Sequence, residues 1–130
     1  MCSFHTPPGA SWGKTKPQTL RAIAEWLTKQ SGHTIFGIDA NAPKTDHPMF
    51  DQNQWWWEDE PALLRHSPLH ELRDCLRLYL AERPRMMEEI VSRRPTGPLA
   101  ISHIRGNRRK MIECRYDFIY NLARARCSRG

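Results

Sequence analysis

Residues 15–33, TKPQTLRAIAEWLTKQSGH, carry the pattern that most limits how this chain can fold. Leu20, Ile23, Ala24 and Leu27 fall at i, i+3, i+4 and i+7, which predicts an amphipathic helix with one apolar stripe. Thr15 can cap its start, Pro17 suits a first turn, and Gly32 suits the stop. The run MCSFH precedes the helix and ends against TPPG, while TIFGI follows it, and both read as strands. The expected unit is therefore β-α-β. A crossover of that kind makes its two strands parallel, so their carboxyl ends share one edge of the sheet. His5 and Asp39 sit at those ends, on the edge where open α/β sheets bind ligands.

The remainder is less regular. DQNQWWWEDEPALLRH (51–66) predicts a loop with a short helix. HELRDCLRLYLAER (70–83) places Leu72, Leu76, Tyr79 and Leu80 on a helical period, Pro84 interrupts it, and RPRMMEEIVSRR predicts another short helix. PLAISHI and MIECRYDFIYNL then predict two strands joined through the basic loop RGNRRK. The fold class expected is α/β: a β-α-β unit followed by short helices and a C-terminal strand pair.

At 130 residues the chain fits one small domain or part of a larger one. No run of eighteen apolar residues occurs, so no membrane span is expected. MCSFHTPPGASWGK lacks a basic region followed by an apolar stretch and does not read as a signal peptide, so a cytoplasmic location is expected. Cys2, Cys75, Cys114 and Cys127 are singletons, which favours reduced thiols over a zinc ribbon or disulfide framework. His66 and His70 stand four apart, but Pro68 opposes the helix that a zinc-binding pair needs.

Charge is distributed unevenly. Acidic and basic residues cancel over positions 1–100, and the last thirty residues carry the whole formal charge of +6. Arg105, Arg108, Arg109 and Lys110 fall within six positions, with Arg115, Arg124, Arg126 and Arg129 beyond. Such a patch concentrates polyanions, phosphodiesters included. A solvated loop and a basic tail at 123–130 explain the same residues without a partner.

Three short motifs can carry chemistry. In IDANAP, extended backbone would aim Asp39 and Asn41 at the same face. A carboxylate there can orient a water or hold a divalent metal, and an amide beside it can donate to a phosphate oxygen. Asp, Asn and Pro43 also form ordinary turns. In RYDFIY, Tyr116, Phe118 and Tyr120 alternate with Arg115, Asp117 and Ile119, which predicts a strand with Asp117 partly buried. A buried carboxylate needs a partner: either Arg115 across the same face, or a histidine whose tautomer it fixes. His5 is the third candidate, able as imidazolium to stabilise or protonate a leaving oxygen.

Other features admit structural readings. Trp55–Trp57 can stack bases or anchor a long loop. His70 and Asp74 read as a local helical ion pair. His103 can face the cleft or the solvent.

In this order the motifs resemble the endonuclease/exonuclease/phosphatase superfamily, with its deoxyribonuclease-I-like fold. A strand ending in His5 is followed by a helix and by GIDAN, similar to the family's G-D-x-N but with Ile38 between Gly37 and Asp39. RYDFIY resembles the later strand with an aspartate among aromatic and aliphatic residues. HELRDCLRLYL resembles the segment with L-x-D and a following arginine. The likeness runs from about Cys2 to Tyr120, and residues 1–122 form the domain it implies. It implies a partial deoxyribonuclease-I-like sandwich from a family that hydrolyses phosphoesters with Mg²⁺ (or Mn²⁺). Asp39 and Asn41 match the pair that positions water, metal and phosphate. His5 matches the histidine near the phosphate, and Asp117 matches the acid that orients the general-base histidine.

The chain departs from the family at both ends. Strands bearing an asparagine and a metal-binding glutamate have no counterpart before Met1, and no S-D-H follows RYDFIY. The resemblance thus implies a Mg²⁺-dependent phosphodiesterase or nuclease-type domain in partial form, weakly active or inactive alone. A basic module that binds nucleic acid or another polyanion without catalysis is the alternative. A non-functional remnant with exposed sheet edges is a third.

Overall fold

The computed structural model describes residues 1–8, 12–65 and 68–122. Strand β1 (Cys2–His5), helix α1 (Thr15–Leu27) and strand β2 (Ile35–Asp39) open the chain. β1 and β2 pair in parallel, with His5 opposite Asp39. Helices α2 (Pro61–Leu64), α3 (Cys75–Ala81) and α4 (Pro84–Arg93) follow, with the two-residue strand β3 (Arg73–Asp74) before α3. The last elements are β4 (His103–Asn107), β5 (Lys110–Cys114) and β6 (Asp117–Asn121). The fold is mixed α/β: a four-stranded sheet in the order β1-β2-β6-β3, plus a separate β4–β5 hairpin.

The α1 stripe does what its spacing dictates. Leu20, Ile23, Ala24 and Leu27 are buried against Phe36, Ile38, Phe118 and Tyr120, which alternate along β2 and β6 on one face of the sheet. Burying a leucine, isoleucine or phenylalanine of this set stabilises by about 1.5–3 kcal/mol each before entropy is counted, and Ala24 contributes less. Thr15 is the first residue of the helix rather than its cap, because Lys14 occupies that position. The opposite face lies open: Ile35 and Ile119 are 48% and 58% exposed.

Several expectations change where long-range pairing overrides local pattern. The helical period from Leu72 does not start a helix there, because Arg73 and Asp74 pair with Asn121 and Tyr120 of β6. Asp74 then caps α3 by accepting from the Leu76 N–H at 3.0 Å. His70 and Asp74 consequently form no helical ion pair. His70 is buried with Nε2 3.0 Å from the Leu63 carbonyl. The expected C-terminal strand pair is three strands. Arg115 and Tyr116 break the second run, so β5 returns to β4 and β6 joins the main sheet. The basic loop is also shorter than expected, with only Arg108 and Arg109 outside strands.

A buried charge cluster ties these pieces together. The Arg115 guanidinium grips both oxygens of Asp74 at 2.7 Å and reaches Asp46 at 3.1 Å. Arg77 bonds Asp46 and donates to the carbonyls of His47 and Pro48 at 2.7 and 2.8 Å. Two acids and two arginines balance, and the carbonyls of His47 and Pro48 take further Arg77 donors, while Arg77 Nε, 3.8 Å from Asp74, makes no hydrogen bond. Pairing of this quality offsets the desolvation cost of burial, which isolated charges could not. The loop after β2 is thereby fixed to α3 and to the start of β6.

No helix among the described residues is long and apolar enough to cross a membrane. The expected basic tail at 123–130, like His66, lies outside the described residues.

Candidate functional site

Because β6 runs antiparallel to β2, its first residue lies at the same sheet edge as the carboxyl ends of β1 and β2. His5, Asp39 and Asp117 form one cross-strand row there, His5 opposite Asp39 and Asp39 opposite Asp117. Residues directly paired across strands project to the same face. This row faces away from α1. His5 Nε2 lies 3.2 Å from Asp39 Oδ2, and the two side chains are 64% and 37% exposed, so both are accessible.

Asn41 departs from the expected alignment with Asp39. β2 ends at Asp39, and Asn41 takes the left-handed region at φ 47°. Asp39 Oδ1 accepts from the Asn41 N–H at 3.1 Å, and Asn41 Nδ2 donates to the Thr6 carbonyl at 3.2 Å. Asn41 therefore joins the segments that follow β1 and β2. Its place beside Asp39 on the strand face is taken by Asp117.

Asp117 is exposed rather than partly buried. Its bulky sequence neighbours do not cover it, because Phe118 and Tyr120 point to the α1 face while Asp117 and Ile119 point to the open one. Arg115 is not its partner either. That residue lies before the strand and turns inward to Asp74 and Asp46.

Beside the row is a cleft of about 460 Å³. Asn41, two residues beyond Asp39, and Tyr116, just before Asp117, line it. Lys16 forms part of its wall, almost fully buried, and donates to the Asn41 carbonyl. Burial pulls the Lys16 ammonium below its ordinary pKa, while Glu60 and Asp39 act in the opposite direction. Glu60 is fully buried, and burial pushes its pKa up against the Trp56 N–H at 2.9 Å and the nearby Lys16. Desolvation thus drives both toward neutrality, and each holds the other toward charge.

The rest of the lining is aromatic and cationic. Trp56 and Trp57 are 42% and 38% exposed at the rim. Lys44 Nζ lies 5.5 Å and Arg105 Cζ 5.0 Å from the Trp56 ring centroid, within cation–π range. His103 stacks on Tyr116 at 5.4 Å with 25° between the rings. Burial, with Cys114 alongside, raises the Tyr116 phenol, which stays protonated as a neutral donor.

The tryptophan triplet therefore divides. Trp55 packs against the core and anchors its loop, while Trp56 and Trp57 face the cleft. His103 also lines the cleft. Arg105 is set apart from Arg108, Arg109 and Lys110: it lines the cleft, and the other three are exposed at the hairpin turn. Lys16 had no part in the sequence reading, although a signal existed. A cation in the first turn opposes the helix dipole, and no acid accompanies it there.

Comparison with family models, curated proteins and solved structures finds no match to this chain.

Among the described residues, no three His, Cys, Asp or Glu side chains gather closely enough to hold a metal ion by themselves. The row offers two neighbouring carboxylates, Asp39 and Asp117. That donor set suits Mg²⁺, which is commonly held by one or two carboxylates with waters and substrate phosphates completing its shell. The Asn41 amide nitrogen is already engaged with Thr6, leaving the amide oxygen as its remaining acceptor.

Proposed function

We propose that this chain is a divalent-metal phosphodiesterase or nuclease-type domain that acts where β1, β2 and β6 meet. One observation carries the reading: the row His5–Asp39–Asp117 lies at the sheet edge from which Asn41 and Tyr116 enter a cleft lined by Lys16 and Arg105. None of the three row residues lines that cleft itself. Phosphodiester hydrolysis needs both parts. Carboxylates attract the cation, and fixed cations receive the non-bridging oxygens.

Each residue has a role set by its chemistry. Asp39 and Asp117 would hold Mg²⁺ or Mn²⁺, which when bound polarises a phosphoryl oxygen and acidifies a coordinated water. Asp39 also orients the His5 imidazole, which would then serve as the proton donor to a leaving oxygen held at the row. Lys16, fixed on the Asn41 carbonyl, presents a poorly solvated positive charge to phosphate. The sheet, packed by α1 on one face and open at Ile35 and Ile119 on the other, fits one half of the sandwich that the family resemblance implies.

Turnover of bis(4-nitrophenyl) phosphate with Mg²⁺ tests this function, comparing the chain with its Asp39→Ala variant. Hydrolysis lost in the variant supports the site, and equal rates in both overturn it. A second reading, a non-catalytic polyanion-binding module, is favoured by the exposed Arg108, Arg109 and Lys110 at the hairpin turn. It requires steeply salt-dependent binding without cleavage, and loss of affinity when those three are neutralised.

A further inference from the structure

We infer that the cleft beside the acid row is a seat for one unpaired nucleobase, which makes single-stranded nucleic acid the substrate class of this site. The inference rests on the phosphodiesterase reading for what happens next, but not for binding itself.

Four observations converge on a base. First, the walls are aromatic: Trp56 and Trp57 on one side, and the stacked His103–Tyr116 pair from the hairpin and the β6 approach on another. Two large indoles more than a third exposed present apolar ring surface that stacking would cover. Second, the cations are placed to receive an electron-rich, anionic ligand. Arg105 lies near the Trp56 ring, and its Nε is shielded from solvent without a hydrogen-bond partner. A buried donor in that state is costly, and a base carbonyl or phosphate oxygen would satisfy it. Third, a cleft of about 460 Å³ suits a small ligand. It accepts one extruded base and excludes a duplex, whose paired bases hide their ring faces within the stack. Fourth, Asn41 and Tyr116 line the cleft and are close sequence neighbours of Asp39 and Asp117, so a strand with a base seated there would run its backbone toward the sheet edge that carries the acid row.

The hairpin extends the same surface. Arg105 on β4 faces the cleft, and the chain then turns at Arg108 and Arg109, both exposed. A strand whose base enters the cleft can lay its neighbouring phosphates along that arm. A ligand that is only an anion would use the cations and leave the tryptophans idle. The two alternatives therefore differ in how binding responds to removal of the base.

Binding should be measured in EDTA, where no turnover occurs, by fluorescence anisotropy of end-labelled oligomers of equal length. The strands are oligo-thymidine, oligo-uridine, a base-free strand of abasic sugar phosphates, and a blunt duplex. Either base-bearing single strand should bind about tenfold or more tighter than the base-free strand, and tighter than the duplex. The ratio of thymidine to uridine identifies DNA or RNA as the source of the base. Trp56→Ala should remove most of that preference, lowering affinity for base-bearing strands far more than for the base-free strand, and Trp56→Phe should restore part of it. Equal affinity for base-bearing and base-free strands, or a preference that survives Trp56→Ala intact, overturns the proposal. Mn²⁺ binding at Asp39 and Asp117, which involves no aromatic group, reports separately on the acid row, which Trp56 does not touch. A seat without a metal site and a metal site without a seat are thereby told apart.

Discussion

His5 Nε2 and Asp39 Oδ2 lie 3.2 Å apart, joined only by the parallel register of β1 and β2. Both side chains are substantially exposed, so the contact contributes little to folding, less than about 1 kcal/mol. If it serves chemistry, its removal should separate rate from stability. His5→Ala is expected to lower Mg²⁺-dependent diester turnover by about a hundredfold or more. The urea midpoint should barely move. A large stability loss with little change in rate would make the pair structural.

Arg115 presents the opposite case. Its guanidinium is buried between Asp74 and Asp46, and its loss leaves two buried carboxylates facing Arg77 alone. Arg115→Met should destabilise by about 3–5 kcal/mol in urea unfolding. Adding Asp74→Asn restores charge balance and should recover part of that loss, a coupling of about 1 kcal/mol or more. Additive effects of the two substitutions would show that Arg115 acts through packing rather than through Asp74.

Glu60 gives the stability a pH dependence of known sign. Burial raises its folded-state pKa above the ordinary 4.5, so between those values the folded chain holds a proton that the unfolded chain has released. Its contribution is fully present below the ordinary value and is lost as pH rises through the raised one. The unfolding free energy of the wild type minus that of Glu60→Gln should fall across this window and level off on either side. Urea titrations from acid to neutral pH measure it. A difference that rises would place Glu60 in an environment that favours its charge, and a flat one would show that folding leaves its proton affinity unchanged.

Gly106 tests whether the hairpin folds apart from the sheet. Its φ is +127°, and a Cβ there would lie 2.0 Å from the Lys110 carbonyl oxygen. Gly106→Ala should abolish amide protection in β4 and β5 in hydrogen exchange, while β2 and β6 stay protected. Oligonucleotide affinity should fall too, since β4 carries His103 and Arg105. Loss of protection throughout would mean that the hairpin is integral to the fold.

The β1-α1-β2 unit was legible because its signals are local: one apolar stripe and two short flanking runs. From them the proximity of His5 and Asp39 followed directly. Elements defined by distant partners were not legible in the same way. Two residues at Arg73–Asp74 become a strand only because β6 lies beside them. The alternation through RYDFIY was visible, but not where the strand begins. That origin decides whether Asp117 is covered or open, and whether Arg115 faces it or turns inward. Asn41 failed for a related reason, since the extended backbone assumed for it ends two residues earlier. The cleft draws on α1, the tryptophan loop and the hairpin, so no single stretch of sequence could announce it.

The proposed chemistry requires Asp39 and Asp117, beside His5, to gather a divalent cation, and paramagnetic mapping tests this without requiring turnover. Mn²⁺ is titrated into the isotopically labelled chain while backbone amide line widths are followed. Broadening should begin at His5, Asp39 and Asp117 and disappear in Asp39→Ala. Broadening centred elsewhere, or unchanged in that variant, would contradict the assigned site.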